Sequence, residues 1–130
     1  MTFTNGAQTV DTYAGKRIIK SGAVGATTPQ EVKWLIDKLL ELSAPFNATG
    51  WAYVVDISRM APASPEVSDI LVSLHKKLAA ANCKVMAFVN YASFITGAQA
   101  KEHQRKSNTG IIEGTFKTEA DALAWIETVL

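Results

Sequence analysis

Two spacings of apolar residues alternate along the chain. Val32, Leu35, Ile36, Leu39 and Leu40 fall on one face at helical spacing, with Lys33, Asp37, Lys38 and Glu41 on the other. Thr28 is a candidate N-cap for this segment, Pro29 fits the first helical position, and Glu31 completes a capping box. Pro45 ends the helix after Ser43 and Ala44. The device recurs downstream: Ser64 caps, Pro65 follows, and Val67, Ile70, Leu71, Leu74, Leu78 and Ala81 form the stripe. A last helix is predicted from Thr118, burying Ala122, Trp125, Ile126 and Val129. From about Gly97 to Lys106 the apolar face is poor, and the pattern predicts only a weak helix.

Trp51–Ile57 and Lys84–Val89 are short and almost continuously apolar, the pattern of strands covered on both faces. Ile111–Phe116 reads as a further strand, more exposed and therefore nearer an edge. Ala7–Tyr13 and Arg17–Gly25, joined by Ala14-Gly15, predict an antiparallel hairpin that feeds the sheet. The order β-β-α-β-α-β-α-β-α implies one α/β domain over residues 1–130. Its expected core is a mostly parallel sheet of about five strands, with an N-terminal antiparallel hairpin, right-handed crossovers and four flanking helices.

Composition narrows the partners. An apolar fraction of 48% with 19% charged residues excludes a disordered chain. Thirteen basic and twelve acidic side chains give a net charge of +1, too little to steer the molecule to nucleic acid or anionic lipid. The aromatics form no base-stacking platform, so no nucleic-acid partner is expected. No apolar run approaches the roughly 18 residues of a membrane span, and no basic segment followed by an apolar one opens the chain. A cytoplasmic location is the expectation. The single cysteine, Cys83, and two histidines make a poor metal site, and no cofactor is expected.

Ligands of open parallel sheets collect at the carboxyl ends of strands. Asp56, Ser58, Arg59 and Met60 follow one predicted strand, and Asn90, Tyr91 and Phe94 follow the next. Together they are the candidate ligand-binding rim. Asp56 has two readings, a structural anchor receiving its own loop's N–H groups or a catalytic carboxylate; the first is the commoner use. Ser64 is either a helix cap alone or a phosphorylation site whose charge the helix N-terminus would favour. The run Lys101-Glu102-His103-Gln104-Arg105-Lys106 reads as a solvated helix face before it reads as a phosphate site. His75 stands at the margin of an apolar stripe, and neither histidine adjoins a serine or cysteine in a nucleophile motif. A triad of Asp56, Ser58 and His103 has no motif behind it, so an enzyme is not expected.

The segment Tyr53-Val54-Val55-Asp56-Ile57-Ser58, the capped helix after it and the strand Lys84–Val89 resemble the STAS domains, the anti-sigma-factor-antagonist fold. The closing segment Gly114–Ile126 is similar to the SpoIIAA-like branch, in which a strand phenylalanine precedes an E-A-x-A-x-x-W-L/I helix. The likeness runs from about Ala7 to the C-terminus. It implies a non-enzymatic binding domain. Comparison of that branch with lipid-binding CRAL-TRIO domains implies an apolar cavity between helices and sheet. Antagonists carry a phosphorylated serine within Asp-Ser-Ser or Asp-Ser-Thr; here Pro62-Ala63-Ser64-Pro65-Glu66 offers only Ser64, without the aspartate.

Two functions stand as expectations. The leading one is binding of a small apolar or lipid-like ligand at the carboxyl edge. The alternative is a regulatory module that docks on a protein partner through the Ser58–Ser64 loop, with or without phosphorylation of Ser64. A homodimer through the weak helix or the edge strand is a further expected assembly.

Overall fold

The predicted hairpin forms as β2 (Gln8–Thr12) and β3 (Ile18–Ala23), but a strand absent from the sequence reading, β1 (Thr2–Asn5), precedes them. β1 has four residues at the rim of the sheet, and only Phe3 is partly buried, so it carries too little alternation to be read. The computed structural model describes every residue except Ser93 and the side chain of Phe94. The rest of the chain alternates helix and strand: α1 (Pro29–Ser43), β4 (Trp51–Asp56), α2 (Pro65–Ala80), β5 (Cys83–Val89), α3 (Phe94–Ser107), β6 (Ile112–Phe116) and α4 (Glu119–Val129). A short 3-10 turn, Ala44–Phe46, closes α1 at Pro45.

The sheet has six strands, in the order β1-β2-β3-β4-β5-β6. β1, β2 and β3 pair antiparallel, and β3 through β6 pair parallel. Because the parallel strands advance in one direction, right-handed crossovers place α1, α2 and α3 on the same face. The packing agrees. Val10, Ile19, Tyr53, Met86 and Phe88 on that face meet Val32, Leu35 and Leu39 of α1 and Val67, Leu74 and Leu78 of α2. α4 has no strand after it and covers the opposite face, where Ala122 and Ile126 pack on Ala52, Val54, Val85 and Ala87. β4 and β5 are thus sheltered on both sides, as their continuous apolar runs require.

The caps form where the sequence places them. The Thr28 hydroxyl accepts the Glu31 N–H, and Glu31 accepts the Thr28 N–H in return. The other Glu31 carboxylate oxygen accepts the Ala7 N–H at 2.6 Å, which ties the hairpin to α1. Ser64 accepts from Val67 and Thr118 from Asp121, opening α2 and α4. All three capped ends lie at the carboxyl edge of the sheet.

α3 is longer than its sequence suggests. Its buried positions are Thr96, His103 and Ser107, with Gln99 and Ala100 partly buried beside them. That stripe has helical spacing but almost no hydrocarbon, which is why an apolar periodicity fails to show it. The charged run accordingly splits: Lys101, Arg105 and Lys106 face water, while His103 turns inward and is 6% exposed.

Candidate functional site

At the carboxyl edge the ends of β4 and β5 are knitted together by side chains from the predicted rim. Asp56 accepts the Ser58 N–H at 2.9 Å, the anchoring role. The Ser58 hydroxyl donates to the Val89 carbonyl at 3.3 Å and accepts the Tyr91 N–H at 3.2 Å. Ser58 is buried, so it braces the rim rather than lining its surface. Asn90 donates its N–H to the Phe116 carbonyl at 2.8 Å, joining the end of β5 to β6. The Met60 carbonyl accepts the Thr96 hydroxyl at 2.9 Å and so ties the loop to α3. Gln99 both donates to and accepts from the Ala63 backbone. Phe94 belongs to the rim by position, but its side chain lies outside the described residues.

What this bracing leaves exposed is an arginine and three large apolar side chains. Arg59 Nε donates to the Tyr91 hydroxyl at 3.1 Å. Tyr91 is 57% exposed, Val24 at the end of β3 is 66% exposed, and Ile95 in the first turn of α3 is 60% exposed. Val24, Arg59 and Tyr91 line one surface depression together with Asp56. Val24 and Ile95 are not among the candidates read from sequence: Val24 stands among small residues at the end of a predicted strand, and Ile95 opens a helix whose apolar face is poor. Trp51, the first residue of β4, lies at the opposite end of that strand from the rim. It is buried there and donates its indole N–H to the Ala81 carbonyl at 3.0 Å.

Deeper in, under α2 and α3, lies a small cavity between helices and sheet, where the resemblance implies one, but with polar groups in its lining that the sequence does not announce. Its volume is about 50 Å³, and it is lined by Ser21, Tyr53, His75, Met86, Phe88 and His103, among others. Ser21 and Tyr53 share a hydrogen bond there. His75 Nδ1 stands 3.9 Å from Glu113 Oε2, beyond hydrogen-bond reach, and among the described residues neither atom has a partner. Burial pushes the Glu113 carboxyl up to about 8 and the His75 imidazole down to about 4, so the two face each other uncharged near neutral pH. Burial also lowers His103. Glu113 went unread because a lone glutamate in an exposed strand looks solvent-facing. The usable signal was phase: Phe116 faces α4, so Glu113, three positions earlier, must face the helices on the other side.

These positions bear on chemistry. The Ser58 hydroxyl is engaged by two backbone groups, so Asp56, Ser58 and His103 are not assembled as a triad. Burial raises the Cys83 thiol to about 12, which leaves it protonated, as befits a small apolar filler. Among the described residues no helix is long and apolar enough to cross a membrane.

No family model matches the sequence, and no curated protein matches it. Solved structures do. An uncharacterised protein of the DUF3478 family with a SpoIIAA-like fold, from Shewanella loihica PV-4, superposes with a TM-score of 0.67 at 18% identity, covering 96% of this chain and 98% of that one. The anti-sigma factor antagonist SpoIIAA in its unphosphorylated form gives a TM-score of 0.64 at 12% identity, over 95% and 99% of the two chains. An anti-sigma factor antagonist from Mycobacterium paratuberculosis gives 0.52 at 14% identity, over 98% and 93%. With the hairpin, the parallel strands and the four helices in place across nearly the whole chain, this protein has the SpoIIAA-like fold.

Proposed function

We propose that the chain is a non-enzymatic regulatory module that binds a protein partner through the carboxyl-edge rim formed by Val24, Arg59, Tyr91 and Ile95. The observation that carries this reading is the exposed Tyr91 ring, held by Arg59 and backed by Ser58, with two further exposed apolar side chains at the same edge. Single exposed apolar residues are ordinary, but several gathered on a braced rim suit a protein interface, where tyrosine and arginine are the preferred anchors. Two of the solved structures of this fold are anti-sigma factor antagonists, proteins named for acting on a protein regulator, which supports the same class of function.

The Ser64 side chain caps α2 and is exposed at this edge. Phosphorylation there would add nearly two negative charges beside the rim, and a partner fitted to the neutral surface would be lost. The lipid reading has less behind it. The cavity of about 50 Å³ under α2 and α3 has room for a few water molecules at about 10–15 Å³ each and not for a lipid chain.

Affinity purification from cells that express the chain tests the proposal, comparing wild type with the Val24→Arg/Tyr91→Ala double variant after both are shown to melt alike. One protein retained by the wild type and lost from the variant is the expected result, with Ser64→Glu weakening its capture. Equal capture by all three would overturn the proposal.

A further inference from the structure

β6 is one of the two outer strands of the sheet and is bonded to β5 on one side only. Successive residues of a strand direct their N–H and C=O groups to opposite sides. The Phe116 carbonyl accepts from Asn90, so Phe116 and Gly114 face β5, and Glu113 and Thr115 turn their backbone groups outward. Among the described residues, no backbone hydrogen bond from another element reaches those two. The strand contains no proline or lysine, and its pairing with β5 runs without a bulge, so the common edge guards are missing.

Beside this edge runs a groove of about 650 Å³ between α3 and β6. Gly97 and Ala98 keep its helix wall low, and Ile57 and Phe88 supply apolar lining. Glu113 also lines it; its side chain is 7% exposed, and Oε2 has no hydrogen-bond partner among the described residues. Burial keeps this carboxyl protonated when nothing is bound, and a cation docked beside it would favour the carboxylate and form a charge-assisted bond with it. A second copy of β6 fits poorly, because that strand carries no basic side chain to meet Glu113.

We propose that this edge and groove are a β-augmentation site for an extended peptide segment of a partner protein, with a lysine or arginine side chain directed at Glu113. The peptide backbone would continue the ladder through the outward groups of Glu113 and Thr115, and the hydrocarbon stem of its basic residue would lie along the apolar lining. This site uses none of Val24, Arg59, Tyr91 and Ile95 and stands whether or not they bind a partner.

Capped decapeptides rich in threonine and valine, with a single central lysine, alanine or glutamate, are suitable probes. Nuclear magnetic resonance titration of the full chain should show the lysine peptide shifting the Glu113 and Thr115 amides and slowing their exchange. The alanine and glutamate peptides should bind about tenfold more weakly, the worth of one charge-assisted bond. Glu113→Gln should erase the lysine preference. Thr115→Pro, which deletes an outward donor, and Ala98→Arg, which fills the groove from an exposed helix position, should each abolish binding; the second remains informative if the first fails to fold. Absence of binding by every peptide at millimolar concentration, or binding that survives Ala98→Arg, would overturn the proposal and leave Glu113 as an inward-pointing guard of a bare edge.

Discussion

Glu113 and His75 each resist the charge they would carry in water, and they do so with opposite consequences for stability. Glu113 binds its proton more tightly folded than unfolded, with about 8 against an ordinary 4.5, so its contribution is lost as pH rises from 4.5 through 8. His75 binds its proton less tightly folded, about 4 against 6.5, so its contribution is gained as pH rises across that range. His103 shifts in the same direction as His75. Between pH 4.5 and 6.5 the slopes oppose each other, and above 6.5 Glu113 acts alone. At about 1.4 kcal/mol per unit, the loss from pH 6.5 to 8 is about 2 kcal/mol. Urea unfolding at those two pH values should show this loss in the wild type and its disappearance in Glu113→Gln. An unchanged slope in the variant would assign the effect elsewhere. Tyr53→Phe is a second probe at this scale. It strips the buried Ser21 hydroxyl of its partner and should cost about 1–3 kcal/mol in the same assay. No change in the unfolding midpoint would mean that Ser21 has another acceptor.

Among the elements, those that bury hydrocarbon are the most readable; α3 shows in the sequence only as a weaker and shorter helix, and β1 does not show at all. Pro29 and Pro65 behind Thr28 and Ser64 announce α1 and α2, and the continuous runs of β4 and β5 announce an interior position. α3 buries Thr96, His103 and Ser107, which a search for apolar periodicity cannot see, and β1 is too short to show a period. β6 was placed correctly near an edge, but its inward glutamate was not. The packing of β6 on α4 gives an element-scale prediction. A Cβ at Gly114 would sit 3.0 Å from the Phe116 ring and 3.2 Å from Trp125, and those two rings pack at a tilt of 41° with centroids 5.1 Å apart. Gly114→Val should therefore displace the Phe116–Trp125 pair and destabilise the fold by about 1–3 kcal/mol, while Thr115→Val on the other face should be near neutral. Thermal melting of the two variants distinguishes them, and equal midpoints would contradict the packing described.

At the scale of the molecule, strands laid down in sequence order gather three helices on one face and bring the capped ends of α1, α2 and α4 to the edge where β3, β4 and β5 end. That arrangement was legible because alternation of strand and helix leaves few topologies open. The polar residues of the rim were legible as well, since loops after parallel strands are short. Which side chains brace the rim and which are exposed was not legible. Ser58 and Asp56 read as candidates yet turn to the backbone, whereas Val24, within a predicted hairpin strand, and Ile95, not among the candidates, stand exposed. The division depends on register between β4 and β5, which no local pattern encodes.

That the braced rim is the working surface is best tested by placing a photo-crosslinking amino acid in turn at Tyr91 and Ile95, and at the exposed α1 positions Lys33 and Asp37, in living cells. The rim positions should capture one and the same protein and the α1 positions should not. Capture from α1 alone, or from neither face, would contradict the account.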